Sequence, residues 1–352
     1  MSKHRFSYKW YLKDGYPKSH GLKVFGTFIC GGGSTMGYKL AGFEHLGGVE
    51  IDPEVADVYK TNHNPKYLFV EDIRGFADRK EFSEDLYNLD ILDGSPPCSS
   101  FSMAGNREKD WGKTKVFREG QAEQRLDNLF FDYIRLAKKL QPKVVIAENV
   151  KGLIQGNAKA YVHRIKKEFE AAGYKVQLFL LNAASMGVPQ KRERVFFICQ
   201  RNDLNFSKLK LEFNEEAITV RECFDNSENI IGNKLGDKSR TLFEKTPQGK
   251  SLSFAHPNGS YFNWIKLKLK GIAPTVAGAG GTFGNFAAGS PLIHPEQPNE
   301  VHPDIYKLFG TYPLDYNFKK IEPKYLIGMS VPPVMTAQIA TEIYNQWLKT
   351  GE

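Results

Sequence analysis

Across the first 200 residues, short apolar runs alternate with amphipathic stretches of helical length. This rhythm restricts the fold more than any other feature. A short apolar run bounded by turn residues is a strand buried on both faces. Alternation of such runs with helices builds βαβ units around a largely parallel sheet. Strands are expected at residues 23–29, 46–51, 67–70, 89–92, 143–147, 175–181 and 194–199. A helix is expected over 53–62, with Asp52 as N-cap and Pro53 in the first position. Residues 126–140 place Leu126, Leu129, Phe130, Tyr133, Ile134, Ala137 and Leu140 on one stripe, and 158–172 form a further helix closed by Gly173. The fold class is therefore α/β, with a doubly wound sheet.

After Arg201 the rhythm is lost, and residues 239–316 are rich in Gly, Pro and Asn. That shift marks a smaller domain of loops and short strands. Helical patterning returns at 333–349, where Met335, Ile339, Ile343 and Trp347 form a stripe that must be buried. The expected division is residues 1–200 with 320–352 in one domain and 201–319 in the other. At 352 residues, 41% apolar and 25% charged, the chain is not collagen-like, coiled-coil or disordered. Its net charge of +8 favours a polyanionic partner, nucleic acid foremost.

No apolar stretch reaches the roughly 18 residues of a membrane span, and residues 1–23 lack the apolar core of a signal peptide. The four cysteines, Cys30, Cys98, Cys199 and Cys223, form no CxxC pair, and the eight histidines lack ligand spacing. Neither a disulfide framework nor a metal site is expected. These features read as a cytoplasmic monomer with no membrane attachment.

Four segments carry the polar chemistry. Phe28-Ile29-Cys30-Gly31-Gly32-Gly33-Ser34 follows the first strand and precedes a helix containing Met36, Leu40 and Phe43. Its glycines permit a tight turn and close approach of a ligand to the backbone. About 20 residues on, Glu50-Ile51-Asp52 ends the next strand with acids suited to ribose hydroxyls. Together they indicate a nucleoside-cofactor site, although the glycine spacing is not GxGxxG. In Asp93-Gly94-Ser95-Pro96-Pro97-Cys98 a strand delivers a thiol on a loop stiffened by two prolines. A free cysteine is more often a small core residue, but the carboxyl end of a central strand is where open α/β sheets act. Ala147-Glu148-Asn149-Val150 ends another apolar strand with an acid able to share or donate a proton, or merely to form a helix cap or a loop ion pair. Finally, Gln190-Lys191-Arg192-Glu193-Arg194 opens the last strand, with Arg194 able to face the same cleft; such clusters are commonly just solvated charge.

Taken in this order, the segments resemble the DNA (cytosine-5) methyltransferase family over nearly the whole chain. The resemblance implies a Rossmann-like methyltransferase domain with a smaller, loop- and strand-rich target-recognition domain. It assigns the cofactor, S-adenosylmethionine, to Phe28, Gly31, Gly32, Gly33, Glu50, Ile51, Asp72, Ile73, Pro96 and Ser330. Pro96-Pro97-Cys98 resembles the nucleophile loop, Glu148-Asn149-Val150 the ENV triplet and residues 190–194 the QKRER element. Residues 303–313 loosely resemble the segment that orients the recognition domain, and 328–333 the GNxVPP element. Two residues depart from the pattern: Cys30 stands where glycine is usual, and Met329 where asparagine is usual.

The implied chemistry joins Cys98 to carbon 6 of a cytosine turned out of the duplex, so that carbon 5 accepts a methyl group. Glu148 would serve N3 and the exocyclic amine, and Arg194 with Arg192 the O2 carbonyl. Residues 99–125 would form a mobile lid following the nucleophile. From Lys245 to Pro295 there is no Asp or Glu. There Lys266, Lys268 and Lys270 alternate with leucines as one basic strand face, and with Ser99 and Thr275 they are expected to meet duplex DNA. A cognate restriction endonuclease acting separately would complete a restriction–modification pair, and a phage or orphan enzyme is the other such setting. A transfer-RNA cytosine-5 methyltransferase would share these motifs. A catalytically silent DNA-binding regulator would show damage at Cys98, Glu148 or Arg194, and none is present.

Overall fold

Val24 and Phe25 lie in the first strand with no exposed surface, and the chain builds its sheet outward from there. The computed structural model describes residues 3–97, 128–278 and 291–349, together with the backbone pairing of Thr114–Lys115 with Gln124–Arg125. Two compact units result. The sheet unit comprises Tyr16–Asn182, Glu193–Glu212 and Thr336–Glu352, and the second unit Met1–Gly15, Ala183–Arg192 and Phe213–Met335.

The sheet unit contains strands β1 (Lys23–Thr27), β2 (Glu44–Glu50), β3 (Tyr67–Val70), β4 (Ile91–Gly94), β5 (Val144–Val150), β6 (Tyr174–Asn182) and β7 (Glu193–Arg201). Their order across the sheet is β3-β2-β1-β4-β5-β7-β6. β1 to β5 run parallel, while β7 is antiparallel to both β5 and β6. The order reverses between β1 and β4, and the space beyond the carboxyl ends of strands at such a switch point is where open α/β sheets bind ligands. Helices α1 (Gly33–Leu40), α2 (Pro53–His63), α3 (Ile73–Asp78), α4 (Glu84–Tyr87), α5 (Leu129–Leu140) and α6 (Lys159–Ala171) connect the strands.

The core is an apolar cluster in which Phe25, Phe76, Leu92, Phe130, Val145 and Phe197 come together. The Tyr133 hydroxyl, from α5, lies 2.9 Å from the Leu92 carbonyl and 2.7 Å from that of Ile146, bracing β4 against β5. Two strands run further than apolarity alone suggests. β4 begins at Ile91 rather than 89 because the Asp90 carboxylate is engaged at its entrance, accepting from the Lys23 amide and pairing with Lys143. It continues through Asp93, and β5 through Val150, because partnered polar side chains hold both ends. α1 stops at Leu40, leaving Phe43 in the following turn.

The second unit holds β8 (Ile231–Lys234), β9 (Ile265–Lys266), β10 (Leu292–Ile293) and β11 (Asn299–Val301) in the order β8-β11-β10-β9. Its helices are α7 (Val220–Asp225), α8 (Asp237–Lys245), α9 (Pro303–Phe309) and α10 (Pro323–Met329). Leu235, Leu242, Phe243, Leu252 and Ile293 form a small core. The expected loops and short strands are present, with α8 and α9 among them. The terminal α11 (Pro333–Ile343) gives way to a π turn at Tyr344–Leu348, where Trp347 stacks on Phe206 and donates to the Ser207 carbonyl. Among the described residues no helix is long and apolar enough to cross a membrane.

Asp52 caps α2, accepting from the amides of Glu54 (2.9 Å) and Val55 (3.3 Å) while 4% exposed. Asp52→Ala should cost about 1 kcal/mol, measurable as a lower urea midpoint with an unchanged m value.

Candidate active site

The glycine turn is built from left-handed backbone. Phe28 (φ 54°), Cys30 (φ 49°) and Gly32 (φ 75°) all occupy that region, which brings the chain sharply round into α1. A Cβ at Gly32 would sit 2.2 Å from Nε2 of His63, so that position excludes any larger residue. Cys30 adopts a conformation that favours glycine, and its amide donates to Oε2 of Glu50 at 2.9 Å. The Asp52 amide donates to Oε1 at 3.0 Å. Burial raises the Glu50 carboxyl above its ordinary range, and these two amides offset only part of that rise. The carboxylate is thus fixed at the end of β2, with Ile51 beside it 39% exposed.

Asp72 caps α3 through the Arg74 amide at 2.8 Å, and its carboxylate lies 3.6 Å from the Arg74 guanidinium. The Ile73 side chain is 4% exposed within the apolar core, leaving its backbone as the part suited to a ligand. A fixed acid, an exposed apolar residue and a tight turn with no room for a Cβ at Gly32 fit a nucleoside cofactor.

β5 and β7 supply the second cluster. Their register sets Phe196 opposite Glu148, so Arg194, two residues earlier, emerges on the same face as the acid. Nε of Arg194 lies 2.8 Å from Oε1 of Glu148, with the two side chains 14% and 12% exposed. Burial lowers the proton affinity of Arg194, and Glu148 offsets only part of that. Nη1 of Arg194 also donates to the Glu193 carbonyl. Cys98 and Ser99 lie outside the described residues, as does the expected lid at 99–125 apart from its two-residue pairing. Pro96 is described: its carbonyl accepts from Nδ2 of Asn149 at 3.0 Å, and Oδ1 of Asn149 accepts from the Val150 amide. Asn149 therefore fastens the loop that leads to Cys98. Sequence reading gave it no role, although a polar residue ending an apolar run was the available signal.

Asp93 was missed as well. It lies on β4, 8% exposed, accepting from the Tyr38 hydroxyl at 2.9 Å and from the side chain of Ser34. Burial, with a further contribution from the charge of Glu148, pushes it up to about 7.

The second unit holds the other expected site residues, and several serve its packing. Arg192 is held inside this unit. Its side chain is 2% exposed, and its guanidinium donates to the carbonyls of Val276 (3.1 Å), Gly328 (2.9 Å) and Ser330 (2.8 Å). It ties the approach to α11 to the 276 segment. The Ser330 hydroxyl donates to Leu326 and accepts from Tyr312, so its side chain is engaged internally. Lys266 is likewise turned inward, donating to the Phe243 carbonyl and sitting 3.7 Å over the Phe243 ring, where burial lowers its proton affinity. The expected basic strand at 266–270 is strand only at Ile265–Lys266; beyond it Lys268 and Lys270 are exposed and Leu267 is buried. Thr275 is exposed, and its hydroxyl donates to the Lys191 carbonyl at 2.5 Å.

Solved structures resemble this architecture. A protein described as a prophage-encoded DNA modification methyltransferase of E. coli matches with a TM-score of 0.69 at 19% identity, covering 94% of this chain and all of that one. DNMT2 of Spodoptera frugiperda matches with a TM-score of 0.60 at 16% identity, covering 92% and 100%. The chain thus has the fold of these methyltransferases. The family model for C-5 cytosine-specific DNA methylase matches residues 22–345, and the chain belongs to that family. Type II methyltransferase M.FnuDI of Fusobacterium nucleatum is 37% identical over 62% of this chain and 59% of its own length. M.NgoPII of Neisseria gonorrhoeae is 34% identical over 68% and 64%. M1.HphI of Haemophilus parahaemolyticus is 29% identical over 92% and 86%. The chain spans about three-fifths of the first two relatives.

Asp93 sets a pH dependence. Below about pH 4 the carboxyl is protonated in both folded and unfolded chains. From there to about 7 the unfolded chain releases a proton that the fold retains, so stability falls across this window. Asp93→Asn, which keeps an acceptor for Tyr38, should flatten that decline in urea melts taken from about pH 4.5 to 7.5.

Proposed function

We propose that this chain is a DNA cytosine-5 methyltransferase of the type II restriction–modification kind, using S-adenosylmethionine on a cytosine turned out of duplex DNA. The observation that carries the reading is the buried Glu148–Arg194 pair beside an asparagine that fastens the Pro96 loop. The names of the relatives support the same reading. Residues 1–200 with 320–352 would bind cofactor and target base, and residues 201–319 would recognise the DNA sequence. A cognate endonuclease would act separately, and the enzyme would work as a cytoplasmic monomer.

When bound, S-adenosylmethionine supplies an electrophilic methyl group. Glu50 would accept hydrogen bonds from its ribose hydroxyls, Ile51 would lie against its base, and the 28–33 turn would present backbone to its amino-acid end. The Cys98 sulfur forms a bond to carbon 6 of cytosine as its thiol proton passes, by way of the Glu148 carboxylate, to N3, so the ring gains no net charge and carbon 5 becomes enamine-like. Arg194, held in direction by Glu148, donates to the O2 carbonyl. After carbon 5 is methylated, it loses its proton, the carbon–sulfur bond breaks and N3 returns its proton. A thiol of ordinary pKa is only a few per cent ionised at neutral pH, so sulfur attack is coupled to this proton delivery.

Bisulfite sequencing of DNA from cells expressing the chain should reveal protected cytosines in one short sequence context, and Cys98→Ala should abolish them. Unprotected DNA from the wild type would contradict the proposal. Glu148→Gln should lower single-turnover methylation of duplex DNA by roughly 10²–10⁴-fold, with duplex affinity largely kept.

A further inference from the structure

The second unit sends out a closed excursion between residues 251 and 265. Ser251 and Ile265 form an antiparallel bridge, the Leu252 amide donates to the Trp264 carbonyl at 2.8 Å, and the Ser251 hydroxyl donates to the Tyr261 carbonyl at 2.8 Å. The far end is braced as well. Nδ1 of His256 accepts from the amides of Asn258 and Ser260, and the Tyr261 and Trp264 rings meet edge to face at 5.0 Å.

Within this framework the side chains sort in two directions. Leu252, Ala255, Tyr261 and Trp264 pack into or against the small core. Phe254 and Phe262 turn the other way, 64% and 75% exposed, the two most exposed of the large apolar side chains among the described residues. Each stands three positions inside the Ser251–Ile265 bridge. Phenyl rings left in water on a braced loop mark a surface meant for a partner.

Charge identifies the partner. Lys250, Lys268 and Lys270 are exposed, within the stretch from Lys245 to Pro295 that has no acid. Gly249 lies against Lys268, where a Cβ would come within 3.5 Å of the lysine's own, and the Lys266 amide donates to the Lys250 carbonyl at 3.0 Å, so Lys250 and Lys268 stand at the base of the excursion, with Lys270 two residues beyond. An apolar tip on a cationic base matches a polyanion whose interior is a stack of flat rings. Duplex DNA is that polyanion, and apolar side chains enter it by wedging at base steps.

We propose that Phe254 and Phe262 form an apolar prong that wedges against the base stack of duplex DNA, seated on the phosphates by Lys250, Lys268 and Lys270. This rests on the DNA methyltransferase reading and names the residues through which its recognition lobe deforms the duplex.

The test uses the full chain, a mixed-sequence duplex of about three helical turns titrated at several salt concentrations, and a relaxed closed plasmid treated with topoisomerase in the presence of protein. Phe254→Ala with Phe262→Ala should weaken duplex binding roughly tenfold or more, with the salt dependence unchanged. The linking-number shift given by the wild type should also shrink. Lys250→Ala, Lys268→Ala and Lys270→Ala together should instead lower the salt slope by about one per lysine. The Phe262→Trp variant should show emission from its new indole quenched by duplex. Wild-type affinity and linking-number shift in the double phenylalanine variant, or emission left unquenched in Phe262→Trp, overturn the prong alone. So does a double variant that loses self-association in sedimentation while keeping its DNA affinity. A wild type that neither binds nor methylates duplex overturns the methyltransferase reading together with the prong.

Discussion

The ion pair between Glu148 and Arg194 is the interaction on which the site depends. Each charge is largely withdrawn from water, and neither would be tolerated there alone. Removing one partner of such a pair commonly costs about 3–5 kcal/mol, because the other remains buried without compensation. The pair exists because β7 runs antiparallel to β5 in a register that puts both side chains on one face. An antiparallel strand in an otherwise parallel core is thus what brings the two charges together. It carries a guanidinium to the same end of the sheet as the acid, where a planar ring with an acceptor and a basic nitrogen would be bridged by both.

Around this pair the sheet holds its ends with polar side chains. Asn149 takes hold of the Pro96 carbonyl, Tyr38 holds Asp93, and Glu50 gathers the amides of Cys30 and Asp52. These contacts tie strand ends to the connecting loops and to α1. A site assembled this way is set before any ligand enters, which lessens the ordering cost of binding.

Much of this was legible in the sequence because buried strands and helix stripes leave strong periodic signals. Tyr67–Val70 appears as expected, Asp52 caps α2, and Gly173 follows α6. Glu148 and Arg194 were singled out from strand-end position, although nothing local to either could reveal their pairing, which depends on register. Asp93 and Asn149 were passed over because their roles come from partners 55 and 53 residues away. Arg192 and Lys266 show the converse. Both belong to cationic segments that read as surface, yet carbonyls brought in by distant chain, or an aromatic ring, took them inside. Cys30 shows a milder limit: its left-handed backbone is a property of the turn, invisible in the residue name.

The central claim is that a thiol, an acid and a guanidinium act together on one cytosine of duplex DNA. Intact-mass analysis of the protein incubated with S-adenosylmethionine and a duplex bearing 5-fluorocytosine at the target tests it most directly, since fluorine blocks the final elimination. The account predicts a stable species whose mass is the sum of protein, target strand and one methyl group, with the linkage at Cys98. Free protein only, or an adduct formed with transfer RNA and not with duplex DNA, would contradict it.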